Sequence, residues 1–227
     1  MASKIATKRV RSLPAQPAPP TDGRRRKRRV SRDDVLREAT RLFAEKGYDG
    51  FTMGELATRI GLRKASLFHH FPTKDALYER VVGALLDAIH AHVSRALGAE
   101  GSILERVDVL SDALTVALGE NPHAARLMVG EVVHGGPLTK ALVGPKIDRV
   151  LEASRALVRA GQRAGVFDRG LDPTHVVLTL VGAHFLPFAL DDVVERFAGA
   201  PPHHAAFVSA RTVALRDQVR RILGVRR

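Results

Sequence analysis

Residues 52–71, TMGELATRIGLRKASLFHHF, constrain this chain more than any other stretch. They hold two helical signatures separated by one turn. Thr52 with Glu55 three residues on is the T-x-x-E pattern of a capping box, in which side chain and backbone satisfy each other at a helix start. Met53, Leu56, Ala57 and Ile60 then recur at helical spacing and give that helix one apolar face. Gly61 follows, at the place where a helix ends in a left-handed residue that glycine adopts without steric cost. Leu62 is expected to tuck into the core, and Arg63–Phe71 has room for about two further turns at 3.6 residues each.

The second helix has two unlike sides. Leu67 and Phe71 lie four apart and share one face. Steps of about 100° per residue place Ala65, Ser66, Phe68 and His69 on the other side. Small residues at the start of that side let a helix sink into a groove. Ser66, His69 and the neighbouring Lys64 can reach base edges or phosphates. A short helix, a glycine turn and a second helix with an exposed polar face make a helix-turn-helix.

The run SRDDVLREATRLFAEKGYDGFTMGELATRIGLRKASLFHHFPTKDALYERVV, residues 31–82, resembles the N-terminal domain of TetR-type transcriptional regulators. Its strongest pieces are A-x-x-L-F-A-E-K-G-Y-D-G, T-M-x-E-L-A-x-x-I-G and L-F-H-H-F-P-T-K-D-A-L. Beyond Val82 the likeness is one of layout. The resemblance implies an all-α protein. An N-terminal three-helix helix-turn-helix DNA-binding domain would be followed by a larger C-terminal helical ligand-binding and dimerisation domain. It also implies a homodimer on double-stranded DNA that rearranges when a small molecule binds. By the same resemblance, His70 and the helix start at Lys74 would meet backbone phosphates. The family commonly has tyrosine where this chain has Phe68, so the packing is kept and a hydroxyl contact is lost.

Charge sharpens the DNA expectation. The 227-residue chain carries a formal +12, and Met1–Arg29 holds ten Lys/Arg against one acid, Asp22. That arm accounts for +9 of the total. Pro14, Pro17, Pro19 and Pro20 oppose helix there, so disorder without a partner is expected. Arg24–Arg29 lies just before the first helix, where Arg28 and Arg29 could contact phosphate or enter a minor groove. A solvated, solubilising tail is the plain alternative. With no cysteine there is neither a disulfide framework nor a thiol metal site. No apolar run reaches the roughly 18 residues of a membrane helix. The basic N-terminus lacks an apolar segment of the secretory kind, so a cytoplasmic protein without membrane contact is expected.

The organisation expected is a disordered basic arm over 1–29, a DNA-binding domain over 30–75 and a helical ligand-binding and dimerisation domain over 76–227. Ser31 caps a first helix to Lys46, with Val35, Ala39, Leu42 and Phe43 as its stripe. Thr73 starts a long helix to about Leu97. Further helices are expected over Ile103–Leu118, from an Asn121 cap to about Val133, and over Lys146–Ala164. A short turn of helix is expected at Leu138–Val143. Thr174–Leu190 follows Asp172-Pro173 and is apolar on more than one face, as suits a helix that meets both its own core and a partner subunit. Asp191–His203 reads as loop with room for one helical turn, and Phe207–Leu223 as the last helix.

Catalytic signatures are absent: there is no G-x-x-x-x-G-K, G-x-G-x-x-G, H-E-x-x-H or G-x-S-x-G. No enzyme and no cofactor are expected. The close histidine pairs, His69/His70, His90/His92 and His203/His204, diverge on a helix and cannot share a metal, so no metal site is expected. A small apolar effector in an interhelical cavity fits better. Met128, Phe167, His184, Phe185 and Phe188 are its candidate lining, each also explicable as ordinary core. Thr52, Lys64, Ala65, Ser66, Phe68, His69, His70 and Lys74, with Arg28 and Arg29, are the candidate DNA contacts. Two functions compete. One is a ligand-responsive dimeric regulator, a repressor released from a palindromic operator. The other is a sequence-tolerant architectural DNA-binding protein that works through its basic arm.

Overall fold

The structure, a computed structural model, describes residues 30–133 and 144–225. The arm over 1–29, with Arg28 and Arg29, and the short helix expected at Leu138–Val143 lie outside the described residues. Among the described residues every regular element is helical.

Helices α1 (Arg32–Lys46), α2 (Met53–Arg59) and α3 (Lys64–His70) form the N-terminal head. The start of α1 is held by a reciprocal capping box: Ser31 Oγ accepts from the Asp34 amide, and the Asp34 carboxylate accepts from the Ser31 amide at 2.9 Å. The box expected at α2 forms by half. Thr52 Oγ1 accepts from the Glu55 amide at 3.1 Å. The Glu55 carboxylate turns instead to Lys46 at 2.7 Å and Arg59 at 3.4 Å, because two cations outcompete one backbone donor. Gly61 has φ +69°, which closes α2 and aims α3 across it. Leu42, Leu56 and Leu67 are fully buried at the centre of the triplet.

Helix α4 (Lys74–Leu97) is capped by Thr73, whose Oγ1 accepts from the Ala76 amide, and it runs out of the head into the C-terminal bundle. Helices α5 (Ile103–Glu120), α6 (Ala124–Val133), α7 (Gly144–Arg163), α8 (Pro173–Ala189), α9 (Asp191–Ala198) and α10 (Ala205–Ile222) complete the described fold. Asn121 ends α5 and does not cap α6: its Nδ2 donates to the Ala117 carbonyl at 2.8 Å. Carbonyls at a helix end lack intrahelical partners, and a side-chain amide one turn on satisfies one of them.

The segment after residue 190 departs from expectation. Instead of a loop it forms α9, bent 82° from α8. Asp191 and Asp192 place negative charge at its start, and Gly199 ends it in the left-handed conformation. Pro187 lies inside α8 and has no N–H to offer the Ala183 carbonyl one turn earlier. Arg211 of α10 takes the place of that donor, giving a hydrogen bond to Ala183 O at 2.8 Å.

Two apolar clusters result. The first runs from Val35 of α1 through Leu67, Phe71 and Tyr78 into α4 and α6 as far as Phe188. The second gathers Val107, Leu157, Val158, Phe167, Val176, Val177, Val219 and Leu223 at the far end of the bundle.

Candidate functional site

Helix α3 is tied down by one side only. Leu67 is fully buried and Phe71, just past its end, is 2% exposed. Lys64, Ala65, Ser66, Phe68, His69 and His70 are all exposed. Lys64 Nζ lies 5.8 Å from the centre of the Phe68 ring, which keeps a cation at the edge of this face. The His69 and His70 rings stand edge to face at 5.7 Å. Arg63 precedes the helix without a side-chain cap, so the first amides of α3 are open on that side. The face is small at Ala65 and Ser66, cationic at Lys64, and bears ring nitrogens at His69 and His70.

Of the expected DNA contacts, Lys74 stands differently. Lys74 does not hold its ammonium outward. It donates to the Phe51 carbonyl at 2.7 Å and sits 4.9 Å and 4.7 Å from the ring centres of Tyr48 and Phe51. Cation–π attraction and a carbonyl acceptor together hold it against the protein. Thr52 is exposed, with its hydroxyl oxygen already accepting from the Glu55 amide.

The junction between head and bundle is polar at its centre. Tyr78 of α4 donates to the carboxylate of Glu131 of α6, and both residues are 3% exposed. Burial, reinforced by the Glu131 carboxylate, holds the Tyr78 phenol protonated well above its ordinary range. The Tyr78 ring packs on Phe43 at 4.6 Å and on Tyr48 at 5.0 Å, and Tyr48 donates to Asp75 at the start of α4. No sequence period distinguishes this pair from ordinary helix surface.

The bundle leaves a partly open cavity of about 450 Å³ between α4, α5, α6, α7, α8 and the end of α10. Its wall is almost wholly apolar, with Ile89, Val93, Leu114, Val150 and Val181 typical. Of the five candidate lining residues, Met128, His184 and Phe185 face it. Phe167 and Phe188 do not. Phe167 packs on Gly161, where an added Cβ would come within 2.0 Å of the ring. Phe188 is 1% exposed and meets Phe207 edge to face at 6.4 Å. A turn that folds back on its own helix fills the space at Phe167, and the contact between α8 and α10 fills it at Phe188.

His184 and Ser111 are the buried polar residues of the wall, at 3% and 5% exposure. The Ser111 Oγ to His184 Nε2 distance is 2.9 Å, and His184 Nδ1 lies 2.7 Å from the Leu180 carbonyl oxygen. Burial pushes the imidazole below its ordinary range, and the Arg211 guanidinium acts the same way. Ser111 was not among the expected lining residues. Its signal is present: it interrupts the apolar face that Val107, Leu110 and Leu114 draw along α5. Among the described residues no three His, Asp or Glu side chains are grouped to hold a metal ion, and no single helix is long and apolar enough to cross a membrane.

This pairing of a one-sided α3 with a hollow helical bundle has counterparts. Residues 35–81 match the family described as "Bacterial regulatory proteins, tetR family", and residues 104–219 match "Tetracyclin repressor-like, C-terminal domain". The chain belongs to the TetR family. The nucleoid occlusion factor SlmA of Aliivibrio fischeri is 30% identical to it over 103 residues, 45% of this chain and 53% of that protein. The HTH-type negative transcriptional regulator IcaR of the biofilm operon icaADBC in Staphylococcus aureus is 39% identical over 59 residues, 26% of this chain and 32% of that one. The chain thus spans about half or less of the curated relatives it matches. Likeness over the full fold comes from the TetR family transcriptional regulator PfmR of Thermus thermophilus. Its TM-score is 0.69 at 26% identity, with 85% of this chain and 96% of that one covered.

Proposed function

We propose that this TetR-family protein is a DNA-binding transcriptional regulator that works as a homodimer. In this reading it represses from a palindromic operator and lets go when a small apolar effector fills the cavity. The observation that carries the reading is the outward face of α3, where Ala65, Ser66, Phe68 and His69 are exposed while Leu67 anchors the helix from behind. Two such helices, one per subunit, would read half-sites about 34–36 Å apart in successive major grooves. Lys64, Ser66 and His69 are assigned to base edges. His70 and the arm with Arg28 and Arg29 are assigned to phosphates. Lys74 shapes the aromatic floor of the head and is left out of the contact set. The negative regulator IcaR, alike over 59 residues, supports repression as the direction of control.

The dimer is assigned to α8 and α10. Leu178 and Leu186 of α8 and Val213 of α10 are 55%, 56% and 69% exposed, an apolar surface in search of cover. Effector control follows from α6, which gives Met128, Val129, Val132 and Val133 to the cavity and Glu131 to Tyr78 at the junction. A ligand that spreads α6 from α4 would strain that hydrogen bond and tilt the head. It can do so only by as much as its affinity differs between the two states; a hundredfold release from DNA needs about 2.7 kcal/mol of difference.

The charge of the arm favours the architectural alternative, and one experiment separates the two. Selection of bound DNA from a random pool should return a palindrome, and removal of residues 1–29 should weaken all DNA binding and flatten its salt dependence. Recovery of unrelated sequences with equal affinity would establish the architectural reading instead.

A further inference from the structure

The tautomer of His184 is dictated by its surroundings. A carbonyl oxygen has no proton to give, so at 2.7 Å from Leu180 O the Nδ1 atom must be the donor. In a buried neutral ring the Nε2 atom is then an acceptor. The Ser111 hydroxyl faces it at 2.9 Å and therefore donates to Nε2. That uses the one proton Ser111 has. What Ser111 still offers to the cavity is lone-pair density, whereas the single Nε2 lone pair of His184 is already taken by the Ser111 hydroxyl. The inner polar wall is thus an acceptor with no proton to spare. The other polar residues of the lining are placed differently: His90 is exposed, Lys146 pairs with Asp87 at 2.6 Å, and Ser154 is half-buried.

We propose that the Ser111–His184 pair makes the cavity select ligands that donate a hydrogen bond, namely largely apolar molecules carrying a hydroxyl group. The proposal rests on the effector reading of the cavity given above. The bound ligand's O–H donates to Ser111 Oγ, Ser111 donates to His184 Nε2, and His184 Nδ1 donates to the Leu180 carbonyl. Three bonds in line polarise one another and reinforce the last. A ketone of the same skeleton places an acceptor against an acceptor and must lose its own hydration without replacement. A carboxylate suffers the same conflict with a full charge.

The test uses full-length protein loaded with the apolar dye N-phenyl-1-naphthylamine, displaced by 2-decanol, 2-decanone or decanoate. The alcohol and the ketone share one carbon skeleton and differ at the reacting position only in donor or acceptor character. Wild-type protein should release dye at a concentration of 2-decanol about tenfold below that of 2-decanone, the worth of one good hydrogen bond. His184→Leu should bring the two compounds to within about twofold, with circular dichroism confirming that the variant is folded. Ser111→Ala should keep or enlarge the alcohol preference, because Nε2 itself then faces the ligand as acceptor. That result separates a selective role from a merely structural one. Equal potency of alcohol and ketone in wild type, an unchanged preference in His184→Leu, or decanoate as the most potent compound would each overturn the proposal. A protein that takes up no dye would remove the effector reading itself, a different failure from dye uptake without discrimination.

Discussion

The head and the bundle are built from the same kind of helix and packed in opposite ways. In the head, Leu42, Phe43, Leu56 and Leu67 are no more than 1% exposed, and Phe43 alone touches the rings of Tyr48, Phe51 and Tyr78 within 6.2 Å. In the bundle, helices of 10 to 24 residues stand far enough apart to leave about 450 Å³ between them. A solid head positions α3 rigidly, as a reader of fixed grooves requires. A hollow bundle leaves apolar walls that border open space. The difference teaches that dense packing and open space are separately located along one chain.

The sharpest way to break that contrast is to truncate one residue on each side. Phe43→Ala in the head should cost about 3–5 kcal/mol, read from the midpoint of chemical denaturation. Leu114→Ala in the cavity wall should cost at most about 2 kcal/mol, since that side chain already borders open space. Equal losses would mean that the head is no better packed than the bundle. Next in size is the double change Lys64→Ala with Ser66→Ala. It should weaken binding to the selected operator by about 1–3 kcal/mol while leaving binding to unrelated DNA nearly unchanged. Parallel losses in a competition gel shift would reduce these side chains to backbone contacts. Thr52→Ala removes the single cap of α2 and should lower stability by about 1 kcal/mol, whereas Glu55→Ala, which breaks only exposed ion pairs, should fall within about 0.5 kcal/mol of wild type.

The smallest effect is in pH. Burial lowers the affinity of His184 and of His123 for protons in the folded state, so the unfolded chain binds more protons as pH falls below the ordinary histidine value. Stability conferred by keeping these rings neutral is present above about pH 6.5 and lost on acidification. The melting temperature should therefore be lower near pH 5.5 than near pH 7.5. His184→Leu should shrink that difference; an undiminished difference would assign it to His123 or to other groups.

The head was legible because its information is local. Ser31, Thr52, Gly61 and Thr73 set helix ends by contacts within three or four residues, and Leu67 with Phe71 fixes the rotation of α3 by spacing alone. The bundle was legible in its helices but not in its interior. Phe167, Phe185 and Phe188 look alike in sequence, yet only Phe185 meets the cavity, because the turn after α7 folds Phe167 back onto Gly161 and Phe207 of the distant α10 covers Phe188. Lys74 carries no mark in sequence of the two rings that capture it. Helix α9 runs longer than the one turn expected: Val193 and Phe197 do lie at helical spacing, but the stretch is eight residues long, is followed by Pro201 and Pro202, and buries no side chain against the core.

One consequence lies in the cluster that begins at Val35 and ends at Phe188. It crosses residue 75, the boundary that the sequence suggests between head and bundle. A chimera joined there would expose Phe71 on one fragment and orphan Leu77 and Tyr78 on the other. Donor heads for hybrid regulators built on this scaffold should therefore be chosen by how well they match the α4 and α6 surfaces they land on, before any thought is given to the sequence they read.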